Sequence, residues 1–116
     1  MSISFKGYGE NVLTFKSMLT DAGIPVSVAK DCVASKTSSE KDFIGITSYA
    51  DGEYAGVIVD GYVEATYTGT TPGFGHCNLV SNGIGGVKVP ASSTTSNHVV
   101  RVLKVDTDNN IVGFIL

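Results

Sequence analysis

Ala55–Gly73 reads AGVIVDGYVEATYTGTTPG. Val57, Val59, Tyr62, Glu64, Thr66 and Thr68 mix β-branched, aromatic and polar side chains, as a half-buried sheet does. Small turn residues punctuate the run. Asp60-Gly61 fits either a tight turn or a bulge. The alternation resumes at once at Tyr62, which favours a bulge within one long strand.

The same pattern extends in both directions. Upstream, Phe43–Tyr49 alternates, and Asp51-Gly52 is a strong tight-turn dipeptide leading into Tyr54–Val59. Ile24–Ala29 and Cys32–Ser35 are two shorter runs, followed by the polar loop 37–41. Downstream, Cys77–Val80 ends at Asn82-Gly83, and Val87–Val89 ends at Pro90. Val99–Val105 and Ile111–Leu116 flank Asp106–Asn110 as a hairpin. With Val12–Phe15 this makes about nine short strands with turn signals between them. The expectation is an all-β fold, a small β-barrel or β-tulip-like module or a compact sandwich. The last strand runs to the final residue, so Ile111, Val112, Phe114 and Ile115 are expected to tie the C-terminus into the sheet.

The first residues read differently. Residues 1–11 carry two glycines without a sustained period, and residues 1–22 are expected to form an N-terminal arm or a loose strand. Within them, Lys16–Gly23 is the one candidate helical turn, with Ser17 as cap and Gly23 as stop. Residues 23–116 are expected to form a single β-barrel-like domain.

Composition narrows the function classes. Of 116 residues, 42% are hydrophobic and only 16% charged, with a net charge of −3. Such a chain buries a core and does not behave as a disordered polyelectrolyte. The eight Lys and Arg residues are scattered, whereas a nucleic-acid groove needs clustered cations, so no nucleic acid is expected as partner. Apolar runs are short and interrupted, so no membrane span is expected. Residues 1–16 show no secretory signal pattern. Cys32 and Cys77 are too few for a disulfide framework and read as reduced, packed thiols, with a single bridge as the alternative.

Each constellation that could carry chemistry also has a simpler reading. Asp106-Thr-Asp108-Asn-Asn110 opens like a calcium loop, but Ile111 stands where the glycine belongs and the chain stops before the closing glutamate. A polar hairpin turn explains it. His76, Cys77, His98 and Cys32 lack metal-ligand spacing, and neighbours in a strand face opposite ways. The same His and Cys lack the orienting group that a thiol nucleophile pair needs. Gly83–Gly86 and Gly73–Gly75 do not open a helix, as phosphate cradling requires. Asp60 and Glu64 would share a face of an unbulged strand beside Asp51 and Glu53, but with no Trp platform they read as a solvated acidic face rather than a glycosidase pair. Tyr49, Tyr54, Tyr62 and Tyr67, with Phe43 and Phe74, suit the core or an interface. No catalytic, cofactor-binding or metal-binding residue is therefore assigned. No cofactor and no enzymatic activity are expected.

GIPVSVAKDCVASK from Gly23, the run from Asp42 to Val89 and HVVRVLKVDTDNNIVGFIL from His98 resemble small phage and prophage capsid decoration (head fibre-base) proteins of Gram-positive bacteria. The matching features are Gly23–Val26, DGYVEATYTG, Pro72-Gly73, Gly83–Lys88 and the closing IVGFIL, and they fall within residues 23–116. The resemblance implies a virion structural protein that binds the major capsid protein on the outer capsid surface and stabilises the expanded shell. It implies trimeric self-association there, a location on the capsid surface after synthesis in the host cytoplasm, and no active-site residues. Residues 1–11 would then be a candidate clamp. A tail, baseplate or fibre module of a phage, or a carbohydrate-binding module, is the alternative.

Overall fold

The structure, a computed structural model, describes residues 8–91 and 99–116. Eleven strands follow one another: β1 (Asn11–Lys16), β2 (Pro25–Lys30), β3 (Val33–Lys36), β4 (Gly45–Ala50), β5 (Tyr54–Asp60), β6 (Tyr62–Thr66), β7 (Gly75–Asn78), β8 (Val80–Ser81), β9 (Val87–Lys88), β10 (Val99–Asp106) and β11 (Ile111–Ile115). No helix occurs among the described residues. The fold is all-β, as the alternation predicts. Five strands close into a barrel in the order β1-β3-β2-β4-β5, β6-β11-β10-β7 form a second sheet, and β8-β9 a short ladder.

Two of the expected strands are each divided, which accounts for eleven instead of nine. Cys77–Val80 breaks between β7 and β8. More consequentially, Ala55–Thr68 is not one bulged strand. β5 belongs to the barrel and β6 to the second sheet, and Asp60-Gly61 is where the chain changes sheets. Gly61 has φ +99°, and a Cβ there would lie 2.5 Å from the Tyr8 carbonyl oxygen and 2.7 Å from the Gly9 carbonyl carbon. Only glycine allows both this backbone and this approach. The corner is fixed by Tyr62 N donating to Tyr8 O (3.0 Å) and Leu116 N donating to Gly61 O (3.1 Å).

Lys16–Gly23 is not a helical turn. Ser17 N donates to Glu53 O (3.0 Å) and Gly52 N to Leu19 O (2.8 Å), so the segment is strapped across the β4–β5 hairpin. Ser17 does receive the Leu19 amide on its hydroxyl (3.2 Å), a cap-like bond within a loop. Within the expected arm or loose strand 1–22, residues 11–16 are β1, registered with β5 over six positions. Residues 1–7 lie outside the described residues, so the clamp expectation falls largely there.

The hairpins form where the turn chemistry predicts them. Asp51 Oδ1 accepts from Glu53 N (2.9 Å) and Tyr54 N (2.8 Å), and Gly52 supplies φ +89°. Asp106 closes β10–β11 in the same manner, accepting from Asp108 N (3.1 Å) and Asn109 N (3.2 Å).

Two cores result. The larger lies between the barrel and the second sheet, where Phe43, Ile46, Val63, Leu79, Val87, Val100, Val102, Val112 and Phe114 are buried together. Phe43 and Phe114 meet edge to face with centroids 6.3 Å apart. Each such side chain contributes about 1.5–3 kcal/mol by leaving water. The smaller core fills the barrel around Val26, Ala34 and Val57. Val112 and Phe114 tie the C-terminal strand in, while Ile111 and Ile115 are half-buried.

Candidate functional site

Among the described residues, an open cleft of about 460 Å³ lies between the barrel and the second sheet. Ile46, Thr47, Ser48 and Ile58 line one side, Tyr62, Val63 and Glu64 the other, with Glu10 and Gly23 at its ends. A shallower hollow of about 230 Å³ adjoins it, sharing Gly23 and Glu64.

The polar feature of the cleft is built by strand register. Glu64 of β6 and Lys104 of β10 both stand opposite Gly113 of the intervening β11. Because Gly113 has no side chain, the two ends meet across it, with Lys104 Nζ 3.4 Å from Glu64 Oε2. Tyr62 lies over the same gap and its hydroxyl donates to Glu64 Oε2 (2.8 Å). Burial, and then the Glu64 carboxylate, push the Tyr62 hydroxyl above its ordinary pKa. It stays protonated at neutral pH and serves as a donor, not a base. Tyrosine, carboxylate and ammonium form a pin holding the sheet face together.

Thr47 shapes the rim. Its hydroxyl accepts from Ile24 N (3.0 Å) and donates to Asp21 O (3.0 Å), satisfying a buried polar group and fixing loop 21–24 beside the cleft.

The sequence candidates are not brought together. Asp60 is exposed at the end of β5 while Glu64 sits on the other sheet, so they do not share one strand face. Asp51 caps its own hairpin, and the Tyr54 and Glu53 amides hold its carboxyl below the ordinary aspartate range. Asp106 is held low first by the Asn109 side chain and then by the Asn109 amide. This is a self-satisfied turn. His76 is exposed, Cys77 packs against the large core, and His98 lies outside the described residues. No group of three His, Cys, Asp or Glu is placed to hold a metal among the described residues.

Both thiols are free, but the expectation that both are packed fails for Cys32. It sits exposed at the β2–β3 turn with φ +59°, because the turn needs a left-handed residue there and no wall covers it. The Asn82–Gly86 loop is likewise a turn. Asn82 Oδ1 accepts from Ile84 N (2.9 Å) and Gly86 N (2.9 Å), so an asparagine carbonyl occupies the place an anion would take.

Tyr62, Tyr67 and Phe43 are buried, whereas Tyr49, Tyr54 and Phe74 are exposed. The Tyr62–Glu64–Lys104 pin escapes sequence reasoning, since it depends on two strand registers. The one signal for it is the lone glycine within IVGFIL. No family model and no curated protein matches the chain.

Proposed function

We propose that this chain is a virion structural protein, a decoration protein that binds the major capsid protein on the outer surface of a phage head. The observation that carries this reading is its surface. Met18, Ile84 and Phe74 are 91%, 77% and 71% exposed, each on a connection between strands, on a chain of low charge. Large apolar side chains on these connections are free to seat against a protein partner, where their burial would add binding energy. The likeness of residues 23–116 to small head proteins supports the same reading, including trimeric self-association on the shell.

The mechanism is linkage. A module that binds the expanded shell more tightly than the unexpanded one stabilises the expanded state by its differential binding free energy. No catalysis is involved in this reading, and the self-satisfied polar groups of the cleft are in keeping with it.

Co-sedimentation with expanded and unexpanded shells of the major capsid protein from the same genome tests the proposal. Saturable binding at a fixed ratio, stronger on the expanded form, is expected. A folded protein that binds neither form overturns it and redirects attention to tail components.

A further inference from the structure

The Asn82 side chain is held at both of its polar atoms. Its Oδ1 accepts from Ile84 N (2.9 Å) and Gly86 N (2.9 Å), and its Nδ2 donates to Thr68 Oγ1 over a longer 3.3 Å. The loop closes without that amide nitrogen, because Asn82 N donates to Gly86 O (3.0 Å). Gly83 N, bonded to the Asn82 carbonyl carbon, donates to Ser81 Oγ (3.1 Å). Gly83 has φ +81°, and a Cβ there would lie 2.9 Å from Ser39 Cβ, so the loop requires glycine after the asparagine. Asn82 and Gly83 are half-buried and Ile84 is exposed, so water reaches the loop.

An asparagine followed by glycine carries its own nucleophile. The Gly83 nitrogen is tethered near Asn82 Cγ and no side chain on residue 83 shields it, so ring closure has the advantage of an intramolecular reaction. In that addition negative charge develops on Oδ1. Preorganised N–H donors at about 2.7–3.1 Å from such an oxygen stabilise the transition state, and Oδ1 holds two within that range. Hydrogen bonds on the side chain also restrain it, and the bond from Gly83 N to Ser81 must be given up. The short bonds nevertheless sit on the atom that gains charge, while the bond on the leaving nitrogen is the long one to Thr68.

We propose that Asn82 is a modification site, converted to aspartate in the folded protein through attack by Gly83 N. The Gly83 amide gives its proton to solvent hydroxide and its nitrogen bonds to Cγ. The Cγ–Nδ2 bond breaks, and Nδ2 takes a proton from water and leaves as ammonia. Water then adds at Cγ, the carbon whose oxygen the two amides hold. The Gly83 N–Cγ bond breaks, the nitrogen recovers a proton, and the new acid gives its own to ammonia. Water is the sole co-reactant. Addition at the backbone carbonyl carbon gives isoaspartate instead, and the donors on Oδ1 favour Cγ. The product keeps the loop. A carboxylate accepts from both amides more strongly than the carbonyl did, and the Thr68 hydroxyl turns to donate to it. Conversion lowers the net charge of −3 by one, beside Ile84, which is 77% exposed. The site is independent of the shell-binding reading.

The test ages the full chain at mildly alkaline pH, folded and in parallel unfolded in urea. Residue 82 is followed by peptide mass and by chromatography that separates aspartate from isoaspartate. The folded protein is expected to convert about tenfold faster than the unfolded chain, with aspartate as the main product, a smaller gain than one donor supplies in a buried oxyanion hole. Ile84→Pro removes one donor and slows conversion in the folded variant about tenfold. Conversion no faster folded than in urea, isoaspartate as the main product of the folded protein, or a rate untouched by Ile84→Pro overturns the proposal. Asn82→Asp installs the product directly and is read at equilibrium. Its urea midpoint at neutral pH is expected at or above that of the unmodified chain, and a lower midpoint overturns the proposal equally.

Discussion

Gly113→Ala should be costly here, although alanine in a strand is ordinarily the better residue. A Cβ at position 113 collides with the Tyr62 hydroxyl and comes within 2.7 Å of its Cζ. Tyr62 is 3% exposed, so its ring must swing away from the sheet. That breaks its hydrogen bond to the Glu64 carboxylate, a loss of about 1.5–3 kcal/mol, and uncovers part of an aromatic face, about 1–2 kcal/mol more. Replacing glycine by alanine in a strand returns about 0.5–1 kcal/mol. The net is about 3 kcal/mol of destabilisation, or a fall in Tm of about 12 °C for a chain of this size. Urea unfolding of Gly113→Ala, Tyr62→Leu and the double variant measures it. With Tyr62 removed, Gly113→Ala should change sign and stabilise by about 0.5 kcal/mol. An equal cost in both backgrounds would refute the pin, since only contact with Tyr62 couples the two positions.

Three further outcomes follow from the same geometry. Asp51 and Asp106 have carboxyls held below their ordinary value of 3.8 by turn amides and the Asn109 side chain. A carboxyl lowered on folding stabilises above the unfolded value and loses that contribution as pH falls through the folded one, so the urea midpoint should drop between about pH 5 and about pH 2. In the Asp51→Asn, Asp106→Asn variant that drop should be smaller, because the amide oxygen caps without titrating. Asn82→Ala should destabilise by about 1–2 kcal/mol and speed hydrogen exchange at Ile84 and Gly86, while exchange in β10 holds as long as the variant remains folded. Native protein should label at Cys32 within the dead time of a thiol reagent and at Cys77 far more slowly, read by peptide mass; equal rates would contradict their placement.

How much of this was legible in sequence depended on distance along the chain. Asp51-Gly52 and Asp106–Asn110 specify their hairpins through their own side chains, so both turns could be read directly. Val99–Val102 alternates because one face of β10 covers the large core, and a bulge between Val102 and Lys104 interrupts the pattern before Val105 returns to that core. The change of sheet at Gly61 was hidden because the alternation continues through it, and what turns the chain is Tyr8 and Gly9 packing against Gly61 from far away in sequence. Ser17 and Gly23 imitate helix punctuation, yet Glu53 and Gly52 claim that backbone for a strap over a hairpin. The polar pin was illegible for the same reason: Glu64, Gly113 and Lys104 become neighbours only when β11 inserts between β6 and β10. Local turn chemistry was therefore readable, and closure of the barrel, which rests on one β1–β3 bridge, was not.

The proposed place of the protein is the outer surface of a capsid. Cryo-electron microscopy of expanded shells saturated with the protein tests it most directly. Two-layered β density is expected at symmetry-related outer positions, with the loops that carry Ile84 and Phe74 seated between capsid subunits. Bare shells after exposure to folded protein, or density confined to a tail, would contradict it.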